Sequence, residues 1–209
     1  MTTKKWSVGK VIKAVALAAI DRLGNESSMH DFAQNTFLLH DLAILLKEEV
    51  RFLYVCGGNG TDRRILNSAE IFDVQENCWH SGDTMPKTRT EHGAVLVGRR
   101  IFVFGGRQGE TGQKKSVAAY DIDTKQWEEG MEDMKEKRDR PGVVAFKEEK
   151  IFVIGGRGGG YHGSCEVFSV KEGKWLSGTA VPPPLPTPRY DIGCAVVGEK
   201  IYTIGGYSD

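Results

Sequence analysis

The sequence predicts an all-β protein built from repeated four-stranded antiparallel sheets, preceded by a short helical segment. Three observations predict this fold class: a glycine pair that recurs after apolar runs, aromatic residues at fixed distances from that pair, and 26 glycines in 209 residues. Self-similarity at a period of roughly 50 residues is the signature of a repeat architecture. The glycine excess over the usual ~7% indicates many tight turns.

The glycine pair is the strongest marker. It follows a short apolar run four times, at successive spacings of 48, 50 and 50 residues. The continuous apolar run predicts a strand buried on both faces, and glycine permits the sharp exit that follows it. The pairs are Gly57 and Gly58, Gly105 and Gly106, Gly155 and Gly156, and Gly205 and Gly206.

Aromatic residues keep the same register. A tryptophan follows the first glycine of the pair by 22, 22 and 20 residues, and a Phe or Tyr lies seven residues before each tryptophan. Large aromatic side chains each bury roughly 150–250 Å², so we expect these two positions to supply most of the packing between neighbouring sheets. They are Phe72 and Trp79, Tyr120 and Trp127, and Phe168 and Trp175.

An R-x-x-x-G element precedes each subsequent apolar run. Its arginines, Arg89, Arg138 and Arg189, recur once per repeat, and we expect them to have a structural role between repeats. In the second repeat, a strand over 93–97 is followed by a turn and a second strand over 101–104. A third strand carries the Phe or Tyr, a polar turn follows, and an outer strand carries the tryptophan. Counted in this way, the chain holds roughly 13 strands.

The first fifty residues do not repeat. Apolar residues recur at helical spacing from Val8 to Leu23, with Gly24 just beyond them, which predicts one helix. A second helix is predicted from after Ser28 to about Glu49. Residues 1–50 are therefore predicted to be a helical segment.

The recurring glycine pair, Phe or Tyr, and tryptophan resemble the kelch-repeat family, and the short R-x-x-x-G blocks resemble most closely the kelch-like ubiquitin-ligase adaptors. The resemblance covers residues 51–209 and implies that each repeat is one blade of a β-propeller. The predicted units are a partial repeat at 51–88, full repeats at 89–137 and 138–188, and a partial repeat at 189–209.

The strand count amounts to about three and a quarter blades. A propeller normally closes with about 4–8 blades, because closure removes exposed sheet edges. We therefore expect a partial propeller of about three to four blades, and a truncated product is the favoured explanation; completion by a partner chain and an open arc are the alternatives.

Charge and cysteine content limit the function classes. Lysines and arginines number 28, as do aspartates and glutamates, so no field of one sign favours nucleic acid or a membrane surface. The longest apolar stretch is too short to span a bilayer. The four cysteines are widely spaced, which indicates reduced thiols and a cytoplasmic protein.

No catalytic, metal or cofactor site is predicted. Cys78 and His80 form one close pair, with His92 farther along the chain, whereas zinc sites usually show more ligands at tight spacing. The sequence contains no G-x-S-x-G element, and the histidines occupy no repeated position. The chain is therefore predicted not to be an enzyme.

The resemblance also implies a binding face. In kelch-like adaptors, the residue after the glycine pair and the residue two before the glycine of R-x-x-x-G point into the mouth of the propeller. We expect partner contacts, and a cationic patch formed by three of the arginines, at Asn59, Arg107, Arg140, Arg157, Tyr161 and Tyr207.

These features predict a protein-interaction module whose ligand is a protein or an acidic peptide. By resemblance, the module would recruit substrates to a cullin-RING ubiquitin ligase. The alternatives are an actin-binding kelch protein and, from another class, a kelch-fold enzyme such as a sugar epimerase or an oxidase.

Overall fold

A computed structural model of the chain describes residues 51–61, 63–108 and 112–208. The predicted helical segment at 1–50 lies outside these residues. Within them, the prediction of an all-β chain built from four-stranded antiparallel sheets is confirmed. In this part of the chain, no helix has the length and hydropathy that a membrane span requires.

Thirteen strands make up the described residues. The first seven are β1 (Phe52–Cys56), β2 (Ala69–Asp73), β3 (Cys78–Gly82), β4 (Gly93–Val97), β5 (Arg100–Phe104), β6 (Val117–Asp121) and β7 (Gln126–Glu128). The other six are β8 (Gly142–Phe146), β9 (Lys150–Ile154), β10 (Cys165–Ser169), β11 (Lys174–Trp175), β12 (Gly193–Val197) and β13 (Lys200–Ile204).

The strands form four separate sheets in chain order. Strands β1–β3 form a three-stranded sheet, β4–β7 and β8–β11 form two four-stranded sheets, and β12–β13 form a hairpin. Every pairing is antiparallel between consecutive strands. Each four-stranded sheet is thus one blade of the predicted propeller, and the three-stranded sheet and the hairpin are parts of further blades.

Neighbouring blades meet along their inner strands. Strand β4 lies against β8, and β8 lies against β12. A Cβ atom at Gly93 would overlap the side chain of Val143, and one at Gly142 would overlap the sulfur of Cys194. The glycine of R-x-x-x-G is therefore explained by the close approach of one blade to the next.

The recurrent aromatic residues pack as predicted. Phe168 and Trp175 lie 5.2 Å apart between ring centroids, and both contact Phe104 of the preceding blade. The tryptophan indole also donates a hydrogen bond to the segment that follows the preceding blade: Nε1 of Trp175 donates to the Glu132 carbonyl at 2.8 Å. Trp127 donates in the same way to the Asp83 carbonyl at 2.9 Å. The aromatic pair therefore joins each blade to its predecessor by both packing and hydrogen bonding.

The recurrent arginines join blades, which confirms their predicted role. Arg138 is fully buried; its Nη1 donates to the Gly155 and Ser164 carbonyls, at 2.6 and 3.1 Å. Its own carbonyl accepts a hydrogen bond from Gly106 of the preceding blade at 2.7 Å. The Arg138 side chain thus binds its own blade while its backbone binds the previous one.

The first glycine of the first three pairs is required by the close approach of the repeat arginine's carbonyl oxygen. Gly105 has a φ of +62°, and a Cβ atom there would overlap the Arg138 carbonyl oxygen. Gly155 has a φ of +64°, and a Cβ atom there would lie 2.5 Å from the Arg189 carbonyl. Both the backbone conformation and the close approach exclude a side chain at these positions.

Candidate binding face

The loops after the glycine pairs and the segments before the inner strands lie at the same end of the blades. Strands β4 and β5 pair antiparallel with Gly93 opposite Phe104, so the residues that precede β4 lie beside those that follow β5. Isolated bridges repeat this arrangement in three blades, pairing Thr90 with Arg107, Asp139 with Arg157, and Tyr190 with Tyr207.

We call this surface the mouth face. It is formed by charged and aromatic residues from three consecutive blades, and it contains five of the six predicted partner-contact residues. Its members are Glu91, Arg107, Asp139, Arg140, Arg157, Tyr161, Tyr190, Asp191 and Tyr207.

Arg140 lies at the centre of the mouth face. Its Nη2 donates to Glu91 Oε1 at 2.5 Å and its Nη1 donates to Asp191 Oδ2 at 3.0 Å. Burial alone would lower its pKa, but the hydrogen bond and charge of Glu91, together with Asp191, raise the pKa of Arg140 above its ordinary value. The guanidinium is therefore held between two carboxylates, one from each neighbouring blade.

The other two arginines of the expected cationic patch also have carboxylate neighbours. Arg157 Nε lies 3.3 Å from Asp139 Oδ1, and Arg107 Nη1 lies 4.0 Å from Glu91 Oε2. Three arginines and three carboxylates thus alternate across the mouth face. These carboxylates largely compensate the positive charge that the three arginines were expected to present.

Several buried polar atoms of the mouth face lack a hydrogen bond within the described residues. They are Glu91 Oε2, Asp139 Oδ1, Arg140 Nε and Arg157 Nε. Two of these atoms, Asp139 Oδ1 and Arg157 Nε, lie 3.3 Å apart as an ion pair. Because all four atoms are buried, the groups that a ligand can reach are the exposed parts of the mouth face, chiefly Arg107 and Tyr207.

Tyrosines cover one side of the mouth face. Tyr190 lies 5.0 Å from Tyr161 and 5.6 Å from Tyr207 between ring centroids. The guanidinium of Arg157 stands 5.3 Å from the Tyr190 centroid, and Tyr207 is 65% exposed. Exposed tyrosine next to arginine is the composition typical of protein-binding hot spots.

Sequence reasoning places Glu91 and Asp191 at the mouth of the propeller without pairing them with the arginines, and it misses Asp139 and Tyr190. Tyr190 directly follows a repeat arginine, and the signal that could have found it is its bridge position next to the residue after the glycine pair. Asn59 is exposed and pairs with Ile65 in its own loop; no described contact joins it to the mouth-face arginines.

The backbone of the mouth face adopts an unusual conformation at three equivalent positions. Glu91, Arg140 and Asp191 have φ values of +55°, +50° and +56°. The Arg140 amide donates to the Glu91 carbonyl at 2.7 Å, and the Asp191 amide donates to the Arg140 carbonyl at 3.0 Å. Hydrogen bonds between blades therefore hold each of these residues in a conformation that non-glycine residues rarely adopt.

Comparison with known proteins gives one family. The model for the KLHDC2/KLHL20/DRC7 Kelch-repeats domain matches residues 40–206. Alpha-scruin of Limulus polyphemus is 28% identical over 200 residues, which cover 89% of this chain and 21% of that protein.

Two further relatives are similarly distant. Kelch repeat and BTB domain-containing protein 12 of Danio rerio is 30% identical over 74% of this chain and 28% of its own length. Kelch-like protein 7 of Mus musculus is 31% identical over 59% of this chain and 21% of its own length. The chain thus spans about a fifth to a quarter of the curated relatives it matches. These matches support a protein-interaction module.

Proposed function

Because the chain belongs to the kelch-repeat family, we propose that it recognises a protein ligand through the mouth face, as a substrate adaptor of a cullin-RING ubiquitin ligase. The observation that carries this proposal is the combination, on one face, of Tyr207, which is 65% exposed, with Arg107, whose side chain is 40% exposed. The similarity to kelch-like proteins, and to one named for a BTB domain, supports the adaptor role.

The charge pattern defines the ligand more closely. Arg107 is the least constrained arginine of the mouth face, since its side chain is 40% exposed and its distance to Glu91 is 4.0 Å. An acidic peptide can pair bidentately with this guanidinium. We therefore propose a segment with an acidic residue that pairs with Arg107 and an apolar group that covers Tyr207.

The test compares proteins that co-purify with the full chain and with two variants expressed in cells. The double substitution Arg107→Ala and Tyr207→Ala removes the two most accessible groups of the mouth face. Arg99→Ala is the matched control, because Arg99 is an exposed, ion-paired arginine in the turn at the opposite end of the blade.

A ligand is a protein that the wild-type chain and the Arg99→Ala variant retain and the double variant loses. An adaptor further requires that ubiquitination of this protein depends on the chain. The proposal is wrong if the double variant retains every interaction. Co-sedimentation with filamentous actin that the double substitution abolishes would favour the actin-binding alternative.

A further inference from the structure

The outer hairpin of the first described blade brings together three side chains that are typical metal ligands. Cys78 Sγ lies 3.3 Å from His80 Nε2 and 3.8 Å from Glu76 Oε2, and His80 Nε2 lies 3.4 Å from Glu76 Oε2. All three donor atoms are within 4.8 Å of one another. This cluster lies in the β1–β3 sheet, which contributes no residue to the mouth face, and has no role in the function proposed above.

Local structure explains why the three donors converge. Cys78 and His80 are two residues apart on β3, so they point to the same face of the strand. Asp73 Oδ1 accepts hydrogen bonds from the Gln75 and Glu76 amides at 2.8 and 3.1 Å. These two hydrogen bonds order the turn before β3. Asn77, at a φ of +52°, completes the reversal.

The geometry does not match a nucleophile–base–acid arrangement. In such a triad, one imidazole nitrogen contacts the nucleophile and the other contacts the carboxylate. Here, both Cys78 Sγ and Glu76 Oε2 approach the same nitrogen, Nε2 of His80. Three donor atoms that converge in this way surround a single point, as the ligands of one metal ion do.

The blade architecture does not require these residues. The other two described outer hairpins align with this one in sequence through their repeat tryptophans, yet they hold different residues at the three positions. The equivalents are Thr124, Gln126 and Glu128 in one blade, and Glu172, Lys174 and Leu176 in the other. The cluster is therefore specific to one hairpin and is not part of the repeat framework.

The distances fit one metal in particular. Zinc bonds of about 2.0–2.3 Å at tetrahedral angles place the donor atoms of two ligands about 3.3–3.6 Å apart, and the observed 3.3, 3.4 and 3.8 Å lie close to this range. We propose that Glu76, Cys78 and His80 bind one Zn²⁺ ion, with a fourth coordination position open to solvent.

The chemistry of the donors favours zinc over the common hard cations. A thiolate and an imidazole suit Zn²⁺, whereas Mg²⁺ and Ca²⁺ require oxygen ligands. The side chains of His80 and Glu76 are 49% and 57% exposed, so an ion can reach the site without opening the blade. Asp73 is already engaged by Arg51 at 3.2 Å and is not needed as a ligand.

The test is a titration of the purified full chain with Co²⁺, a spectroscopic substitute for Zn²⁺, in the presence of a non-thiol reductant. We expect saturation at one ion per chain and a thiolate-to-cobalt charge-transfer band in the near ultraviolet. One equivalent of Zn²⁺ should remove the band, and excess Mg²⁺ should leave it unchanged.

Variants locate the site. Cys78→Ser should abolish the band. Glu76→Gln and His80→Gln should each weaken cobalt binding by more than ~10-fold, because the loss of a direct ligand should exceed the ~10-fold effect of losing a residue that is only hydrogen-bonded to a ligand. Glu172→Gln and Cys165→Ser are the matched controls and should bind as the wild type does. Circular dichroism and melting without metal should show all variants folded, since Glu76 and His80 are exposed. The proposal is overturned if no saturable band forms, or if Cys78→Ser retains it.

Discussion

Replacing Arg138 with methionine tests whether the hydrogen bonds and the ion pair of this buried arginine stabilise its blade. Methionine keeps a long apolar side chain but removes every donor that Arg138 supplies to its own blade. The Gly155 and Ser164 carbonyls and the Ser164 hydroxyl lose their partner, and Glu166 loses the guanidinium whose Nε lies 3.1 Å from its Oε1. The neighbouring backbone stays intact, because the Arg138 carbonyl still accepts from Gly106.

The expected loss of stability is large because both partners are buried. The side chains of Arg138 and Glu166 are 0% and 8% exposed, and breaking a buried ion pair by removing one partner costs about 3–5 kcal/mol. Such a loss approaches the total stability of about 5–15 kcal/mol of a typical domain. Arg89→Met should cost less, about 1–3 kcal/mol, because its blade has Ala118 at the position of Glu166 and no carboxylate is left uncompensated.

Equilibrium urea unfolding of the full chain measures these differences. Arg99→Met is the exposed control: its pair with Asp123 is 63% exposed on both sides and should contribute less than ~1 kcal/mol. A double-mutant cycle with Glu166→Gln should give a coupling of about 0.5–3 kcal/mol. The reasoning is refuted if Arg138→Met destabilises no more than Arg99→Met, or if the coupling is zero.

Three further predictions follow from individual contacts. Gly142→Ala should lower the free energy of unfolding in urea by about 1–3 kcal/mol, because its Cβ would overlap Cys194 and lie 2.8 Å from Ile192. Gly193→Ala is the control: its Cβ would lie 3.7 Å from the nearest described atom, so it should change stability by less than ~0.5 kcal/mol. Equal effects of the two substitutions would contradict the packing argument. Burial, with the charge of Arg89, lowers the pKa of His92 to about 3. Between pH ~6.5 and 3, His92 is therefore protonated only in the unfolded chain, and the free energy of unfolding should fall by up to ~1.4 kcal/mol for each pH unit that the solution is acidified. The His92→Gln variant should lose this pH dependence, and an unchanged dependence would be the contrary result. Partial burial, with the nearby Cys165, raises the pKa of the half-buried Cys194 thiol to about 12. Its alkylation at pH 8, followed by mass spectrometry, should therefore be about a thousandfold slower in the folded chain than in urea, and equal rates would contradict the raised pKa.

The sequence pattern predicted the interior of each blade well, because those features repeat. The strand over 93–97 and the apolar strand that ends at Phe104 appear where the alternation and the glycine pair indicate. The aromatic pair and the recurrent arginine each have one environment that every repeat recreates, so their roles can be inferred from position alone. Comparison of the repeats in the sequence therefore identifies the residues that every blade uses in the same way.

Contacts between blades were harder to predict from the sequence. Glu91, Arg140 and Asp191 are separated by 49 and 51 positions, and only the stacking of three blades brings their side chains together. Met85 and Met134, each four residues before a repeat arginine, are almost fully buried; this marker was present in the sequence and was overlooked. Glu76 was missed because alternate residues in a hairpin turn rarely form a ligand set.

Three equivalent positions of the mouth face share one backbone conformation but carry different side chains. Glu91, Arg140 and Asp191 share one backbone conformation, held by hydrogen bonds from blade to blade, yet they differ in charge. The left-handed conformation costs each non-glycine residue about 1 kcal/mol, and glycine at these positions would avoid that cost. The ion pairs of Arg140 with Glu91 and Asp191 account for side chains at these positions despite the backbone preference. Because these ion pairs also join neighbouring blades, substitutions at the three positions should lower the free energy of unfolding as well as change the surface that the mouth face presents.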